Sequence, residues 1–189
     1  MEITRREAVR RIALLVGGTA SASTVTAFLA GCEAAPPGAD WTPAVLDPSQ
    51  VELLGVAVDR ILPPTDTPGA AEAGVPAYID LMLDRWAEPE ERDRFLAGLD
   101  ALGGGAGERS FLHDDAETQT ATLQQLDRAA IAARAVGIDP LPWFALLKEW
   151  TLVGYYTSEI GATRELQWLP MPGRLEGDLP LTEVGRAWA

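Results

Sequence analysis

Trp143-Phe144-Ala145-Leu146-Leu147-Lys148-Glu149-Trp150-Thr151-Leu152-Val153-Gly154-Tyr155-Tyr156-Thr157-Ser158 is the stretch that decides how the chain folds. Wound as a helix, it is apolar on nearly every side, with little more than Lys148 and Glu149 to interrupt it. Such a helix sits at the centre of a core or under a partner. Pro140-Leu141-Pro142 just before it marks where it starts. Trp143 and Trp150 are seven residues apart, two turns along one face. Core packing is the ordinary role of such a pair, and anchoring a partner is the other, because tryptophan is favoured in interface hot spots.

Four amphipathic helices precede this one. The first opens on Asp47 as cap, Pro48 at the first helical position and Gln50 three residues after the cap. It presents Val51, Leu54, Val58 and Ile61 on one face, and Pro63-Pro64 stops it. The turn residues Thr65-Asp66-Thr67-Pro68-Gly69-Ala70 follow. The second helix is expected from Pro76 to Trp86, with Ile79, Met82, Leu83 and Trp86 inward and Asp80, Asp84 and Arg85 facing elsewhere. The third begins near Pro89, with Glu90 and Glu91 complementing its positive end. It buries Phe95, Leu99 and Leu102, and the glycines from 103 to 107 end it. The fourth covers Ala116 to Ala135, with Leu123, Leu126, Ala130 and Ile131 inward, and Gly137 closes it. No alternating run is long enough for a sheet. The expected fold is all-α, a small irregular bundle of about five helices with an extended C-terminal tail. Trp168, Leu169, Met171, Leu175, Leu179, Leu181 and Trp188 in that tail are too apolar for solvent, so they must pack on the domain or on another chain.

The N-terminus reads as a targeting segment. Arg5-Arg6 before the moderately apolar run Ile12 to Ala30 is the twin-arginine export pattern, although Ala8 stands where an aromatic residue is usual. Leu29-Ala30-Gly31-Cys32 resembles a bacterial lipobox, with the single cysteine of the chain at the position that would be lipidated. Several acyl chains on Cys32 would anchor the mature protein to a membrane. Residues 1–32 are therefore expected to be a signal peptide, 33–46 a tether and 47–189 the helical domain.

Composition narrows the chemistry. With 47% hydrophobic and 23% charged residues, the chain is an ordinary globular protein. Its formal net charge is −13, and the basic residues Arg5, Arg6, Arg10 and Arg11 belong to the leader, so the mature part is more acidic still. That sign disfavours nucleic acid. One cysteine allows no internal disulfide and no cysteine-based metal cluster. The single histidine, His113, is followed by Asp114 and Asp115. It could be a base held by an acid, but no cleft is suggested, and an exposed histidine in an acidic loop is the plainer reading. The glycine cluster follows a helix and lacks a phosphate-loop lysine. Asp66 alone is far short of a calcium site. No catalytic, cofactor-binding or metal-ligating residue is expected in the chain. A twin-arginine signal on a cofactor-free chain suggests a carrier that takes a folded, cofactor-containing partner across with it.

Two stretches are similar to the gluconate 2-dehydrogenase subunit 3 (small, or gamma, subunit) family. The first is Ile61-Leu62-Pro63-Pro64-Thr65-Asp66-Thr67-Pro68-Gly69-Ala70, with Ala73-Gly74-Val75-Pro76 and Ile79-Asp80. The second is Leu147-Lys148-Glu149 and Gly154-Tyr155-Tyr156-Thr157-Ser158-Glu159-Ile160-Gly161-Ala162-Thr163, with Pro170-Met171-Pro172-Gly173-Arg174. The resemblance covers about residues 50 to 181 and implies an accessory subunit. It would support folding, export and stability of a large flavin-dependent dehydrogenase of the glucose-methanol-choline type, which would carry FAD. A cytochrome c subunit is the further partner the resemblance implies. The interface residues expected on this reading are Trp143, Trp150, Tyr155, Tyr156, Trp168, Pro170 and Arg174, and the expected location is the periplasmic side of the cell envelope. The alternative is a free-standing periplasmic lipoprotein that binds a small ligand. An enzyme in its own right, working through His113 or Asp66, is a third reading.

Overall fold

The computed structural model describes residues 41–105, 110–169, 171, 173 and 178–188. Arg5, Arg6, Cys32, residues 33–40 of the expected tether, Pro170 and Arg174 lie outside them.

The described residues are all-helical, with five substantial helices in a small bundle and no strand. These are α1 (Pro48–Ile61), α2 (Val75–Arg85), α3 (Pro89–Leu102), α4 (Ala116–Ala135) and α5 (Trp143–Thr157). A 3-10 turn (Phe111–His113) precedes α4, a π-helical turn (Gly161–Glu165) follows α5, and α6 (Leu181–Val184) lies in the tail. α1 begins as its sequence dictates. The Asp47 carboxylate accepts from Ser49 N at 2.8 Å and Gln50 N at 2.9 Å, and Gln50 Oε1 accepts from Asp47 N at 3.0 Å. This reciprocal box satisfies donors that a helix start leaves open. Asp115 caps α4 by accepting from Thr118 N at 2.8 Å. Gly137, with φ +72°, takes the left-handed turn that ends α4.

α5 is the hub and packs on each of the other four long helices. Its Phe144, Leu147, Trp150, Thr151 and Tyr155 are buried. The buried Thr151 hydroxyl donates to the Leu147 carbonyl at 2.7 Å, so the one polar side chain at the helix centre is satisfied. Phe95 of α3 stacks on Trp150 at 5.5 Å between centroids and meets Trp143 edge-on at 6.0 Å. The Trp143 indole lies over Gly98, where a Cβ would fall 2.1 Å from the ring.

Three expected placements are corrected. Asp80 is buried, at 2% exposure, instead of facing away from the core. Trp86 is 74% exposed, because α2 stops at Arg85 and Trp86 leaves the helical path as its C-cap. Ile131 is 58% exposed. α4 turns Gln119, Leu123, Ala130 and Ala133 inward, and the small alanines let it approach its neighbours closely while the larger isoleucine points out. Gln119, though polar, is matched on both sides: its Nε2 donates to Phe111 O at 3.0 Å, and its Oε1 accepts from Arg60 Nε at 2.7 Å.

Candidate partner interface

The two stretches that carry the family resemblance meet in space. α2 and α5 pack against each other, and Gly154 sits beneath the Tyr78 ring, 2.6 Å from Cδ1 to where a Cβ would be. Between α1 and α2 the chain forms a knuckle, Pro63 to Asp66, whose four residues are all exposed. Its base is held from several sides. Tyr155 Oη, at the end of α5, donates to the Pro68 carbonyl at 3.0 Å and lies 3.3 Å from Thr67 Oγ1. Thr67 Oγ1 donates to Glu165 Oε2 of the π-helical turn at 2.8 Å. Asp59 Oδ1 of α1 accepts from Ala71 N at 2.8 Å. Gly69 is wedged between Asp59 and Pro64, with room for no side chain: a Cβ there would lie 2.6 Å from Asp59 Oδ1. The π-helical turn is likewise built around a glycine, since a Cβ on Gly161 would lie 1.9 Å from the Tyr155 carbonyl oxygen. Ser158 Oγ closes that corner, accepting from Gly161 N at 2.9 Å and donating to Tyr155 O at 2.7 Å.

The aromatic residues expected at an interface divide into three groups. Trp150 at 7% and Tyr155 at 3% exposure are core residues of this chain, so they are withdrawn from the surface. Trp143 and Tyr156 are half-buried: the first is shared between Phe95 and Phe144, and the second stands edge-on to Tyr155 at 5.3 Å. Trp168 is exposed, together with Leu169, Met171 and Trp188. The tail that carries them turns back on itself. Gln167 and Trp188 form a parallel bridge, Gln167 Nε2 donates to the carbonyls of Val184 and Arg186, and Arg186 donates to the Arg164 carbonyl. Exposed Trp86, Val136 and Ile138 were not expected as surface residues. They lie at helix ends and in a connection, where periodicity carries no signal.

Another arrangement not expected from sequence is a clasp on α2. The Asp80 carboxylate accepts from Ala44 N at 2.8 Å, Val45 N at 3.0 Å, Leu46 N at 3.0 Å and Trp41 Nε1 at 3.3 Å. Burial pushes this carboxyl up. The hydrogen bonds from Ala44, Leu46, Val45 and Trp41 together outweigh it and hold Asp80 below the ordinary carboxylate value. Residues 41–46, expected as the end of a tether, are thereby strapped to the bundle, and Leu46 is buried.

His113 is exposed on the 3-10 turn. Among the described residues no three histidine, cysteine, aspartate or glutamate side chains are grouped to hold a metal, and no helix is long and apolar enough to cross a membrane. A groove of about 520 Å³ between α4 and α5 is lined by Ile131, Arg134, Lys148, Glu149 and Leu152, and its Lys148 is paired with Asp127 at 2.8 Å.

No curated protein and no solved structure matches the chain. The family model described as Gluconate 2-dehydrogenase subunit 3 does match it, over residues 48–173. The match begins with α1, takes in all five long helices, and includes both the knuckle and the π-helical turn, which the Thr67–Glu165 hydrogen bond joins. On that match, the chain belongs to the gluconate 2-dehydrogenase subunit 3 family.

Proposed function

We propose that this chain is the non-catalytic small subunit of a cell-envelope dehydrogenase complex, supporting the folding, export and stability of a large flavin-dependent subunit of the glucose-methanol-choline type. Family membership supports a small subunit of a dehydrogenase complex. The single observation that supports partner binding is the exposure of Trp168 (58%), Met171 (81%) and Trp188 (49%) within one tail that turns back on itself. Covering a side chain of that size contributes roughly 1.5–3 kcal/mol, and the buried cluster of the bundle includes none of these three. FAD belongs to the large subunit on this reading, and substrate choice lies there too. A cytochrome c subunit is a further partner that such complexes often carry.

The leader supplies the export route. Arg5 and Arg6 address the complex to the twin-arginine pathway, and Cys32 carries the lipid that holds it at the membrane on the periplasmic side. The test is to replace both arginines (Arg5→Lys with Arg6→Lys) while the large subunit is co-expressed. Both chains should then remain in the cytoplasm, and flavin-linked dehydrogenase activity should vanish from the envelope fraction. Normal export of the large subunit would refute the carrier role. Cys32→Ala should release an active complex from the membrane into the soluble periplasmic fraction.

A further inference from the structure

We infer that the Pro63–Asp66 knuckle is a preformed docking element for the large subunit, received by a slot on that subunit with an apolar wall for the two prolines and arginine or backbone N–H donors for Asp66. This rests on the subunit reading above and says which surface the partner grips. The connection from Leu62 to Gly74 exceeds the roughly two to eight residues that usually join packed helices, and long connections of that kind are either functional or disordered. This one is tied down at its base, where Ala70 and Ala73 are buried. Its base is tied to α1 through Asp59, to α5 through Tyr155 and to the π-helical turn through Thr67 and Glu165. Two further backbone bonds close it, Thr65 N to Thr67 O at 2.9 Å and Ala70 N to Leu62 O at 3.0 Å. The tip remains exposed: Pro63, Pro64, Thr65 and Asp66. A loop needs no such fixing merely to connect two helices. Fixing it does remove the ordering cost of binding, which is how preorganised elements gain affinity.

The location favours the same partner. Glu165, which holds Thr67, lies three residues before the exposed Trp168, so the two Cα atoms are within about 11 Å of each other. The base of the knuckle is therefore joined, through the Thr67–Glu165 hydrogen bond, to the turn from which the apolar tail departs, and a large protein surface can reach both. The chemistry of the tip sets the complement. Among the described residues the exposed Asp66 carboxylate accepts from Thr65 Oγ1, at 3.0 Å, one bond out of the several that its two oxygens can take. Proline rings have little conformational entropy to lose and pack flat on apolar walls.

The experiment is co-purification of the full chain with its co-expressed large subunit, read as flavin absorbance retained per small subunit. Asp66→Arg should lower retained flavin at least tenfold, and so should the uncharged variant Pro63→Gly with Pro64→Gly. The melting temperature of the small subunit should stay at the wild-type value for Asp66→Arg. Glu117→Arg, a charge reversal at the exposed start of α4, should retain flavin normally. Full retention by both knuckle variants overturns the docking role. Failure of the wild-type chain to retain any flavoprotein overturns the subunit reading instead, so the two failures are distinguishable. Should Asp66→Arg melt early, Asp66→Asn decides the matter: it keeps the shape, removes the charge, and must still weaken retention several-fold.

Discussion

At the scale of single residues, Asp80 stands out because one carboxylate holds three consecutive backbone N–H groups and an indole N–H from a segment some forty residues earlier. Hydrogen bonds to a charged group contribute more than neutral ones, roughly 1.5–3 kcal/mol each before overlap is considered. Asp80→Asn keeps the volume but turns an NH₂ toward groups that can only donate. It should cost about 2–3 kcal/mol of stability, and amide exchange at Ala44, Val45 and Leu46 should rise while the amides of α5 stay protected. The pH dependence has a defined sign. The folded carboxyl titrates below its ordinary value of 3.8, so its contribution is complete above that pH and disappears as pH falls through the lower folded value. The stability difference between wild type and Asp80→Asn should therefore be flat near neutrality and shrink in acid below about pH 4. A difference that persists unchanged at pH 2 would show that the ionised carboxylate is not what holds the strap.

At the scale of elements, the same glycine-to-alanine change should have opposite signs in two helices. Gly55 lies inside α1, and a Cβ there would meet nothing within 4 Å. Gly55→Ala should stabilise the protein by about 0.5–1 kcal/mol, since glycine costs a helix interior that much relative to alanine. Gly98 lies inside α3 under the Trp143 ring, so Gly98→Ala should destabilise by about 1–3 kcal/mol or more through overpacking. Thermal unfolding of the two variants checks both. This pair also shows what was legible in the sequence. The existence of every long helix could be read from local punctuation, as Asp47-Pro48-Ser49-Gln50 shows for α1. The central place of α5 followed from its apolar residues. Whether a glycine is an open position or a contact surface depends on a partner many residues away and leaves no local mark. Asp80 fails for the same reason: on α2 it looks like any polar residue, and only the return of residues 41–46 makes it a core acceptor. Trp150 and Tyr155 were read as interface anchors because tryptophan and tyrosine serve both roles, and their burial shows which role they take here. The knuckle was visible as turn chemistry, but the ties from Tyr155 and Glu165 join positions nearly ninety residues or more apart.

At the scale of the whole molecule, the bundle and its tail make different demands on the chain. The buried hydrophobic cluster draws its members from Leu46 to Tyr155, with Ile160 packed against its edge, and includes none of Trp168, Leu169, Met171 or Trp188. Among the described residues the tail is fixed by hydrogen bonds among Gln167, Val184, Arg186 and Ala187, and by the bond from Arg186 to Arg164 of the π-helical turn. A chain ending at Leu166 should therefore keep the π-helical turn and the Thr67 tie and melt close to the full-length protein. A change of about 1 kcal/mol would move the midpoint by only about 2–8 °C for a domain in this size range. The same truncation should weaken retention of the large subunit and reduce the tendency of the isolated chain to self-associate, because Trp168, Trp188 and Met171 leave with the tail. Calorimetry and size-exclusion chromatography on both forms separate the two effects. If truncation instead lowers the midpoint by well over 10 °C, the tail is part of the domain's own stability. Its exposed aromatic residues would then mark a loosely covered edge of the bundle instead of a surface awaiting another protein.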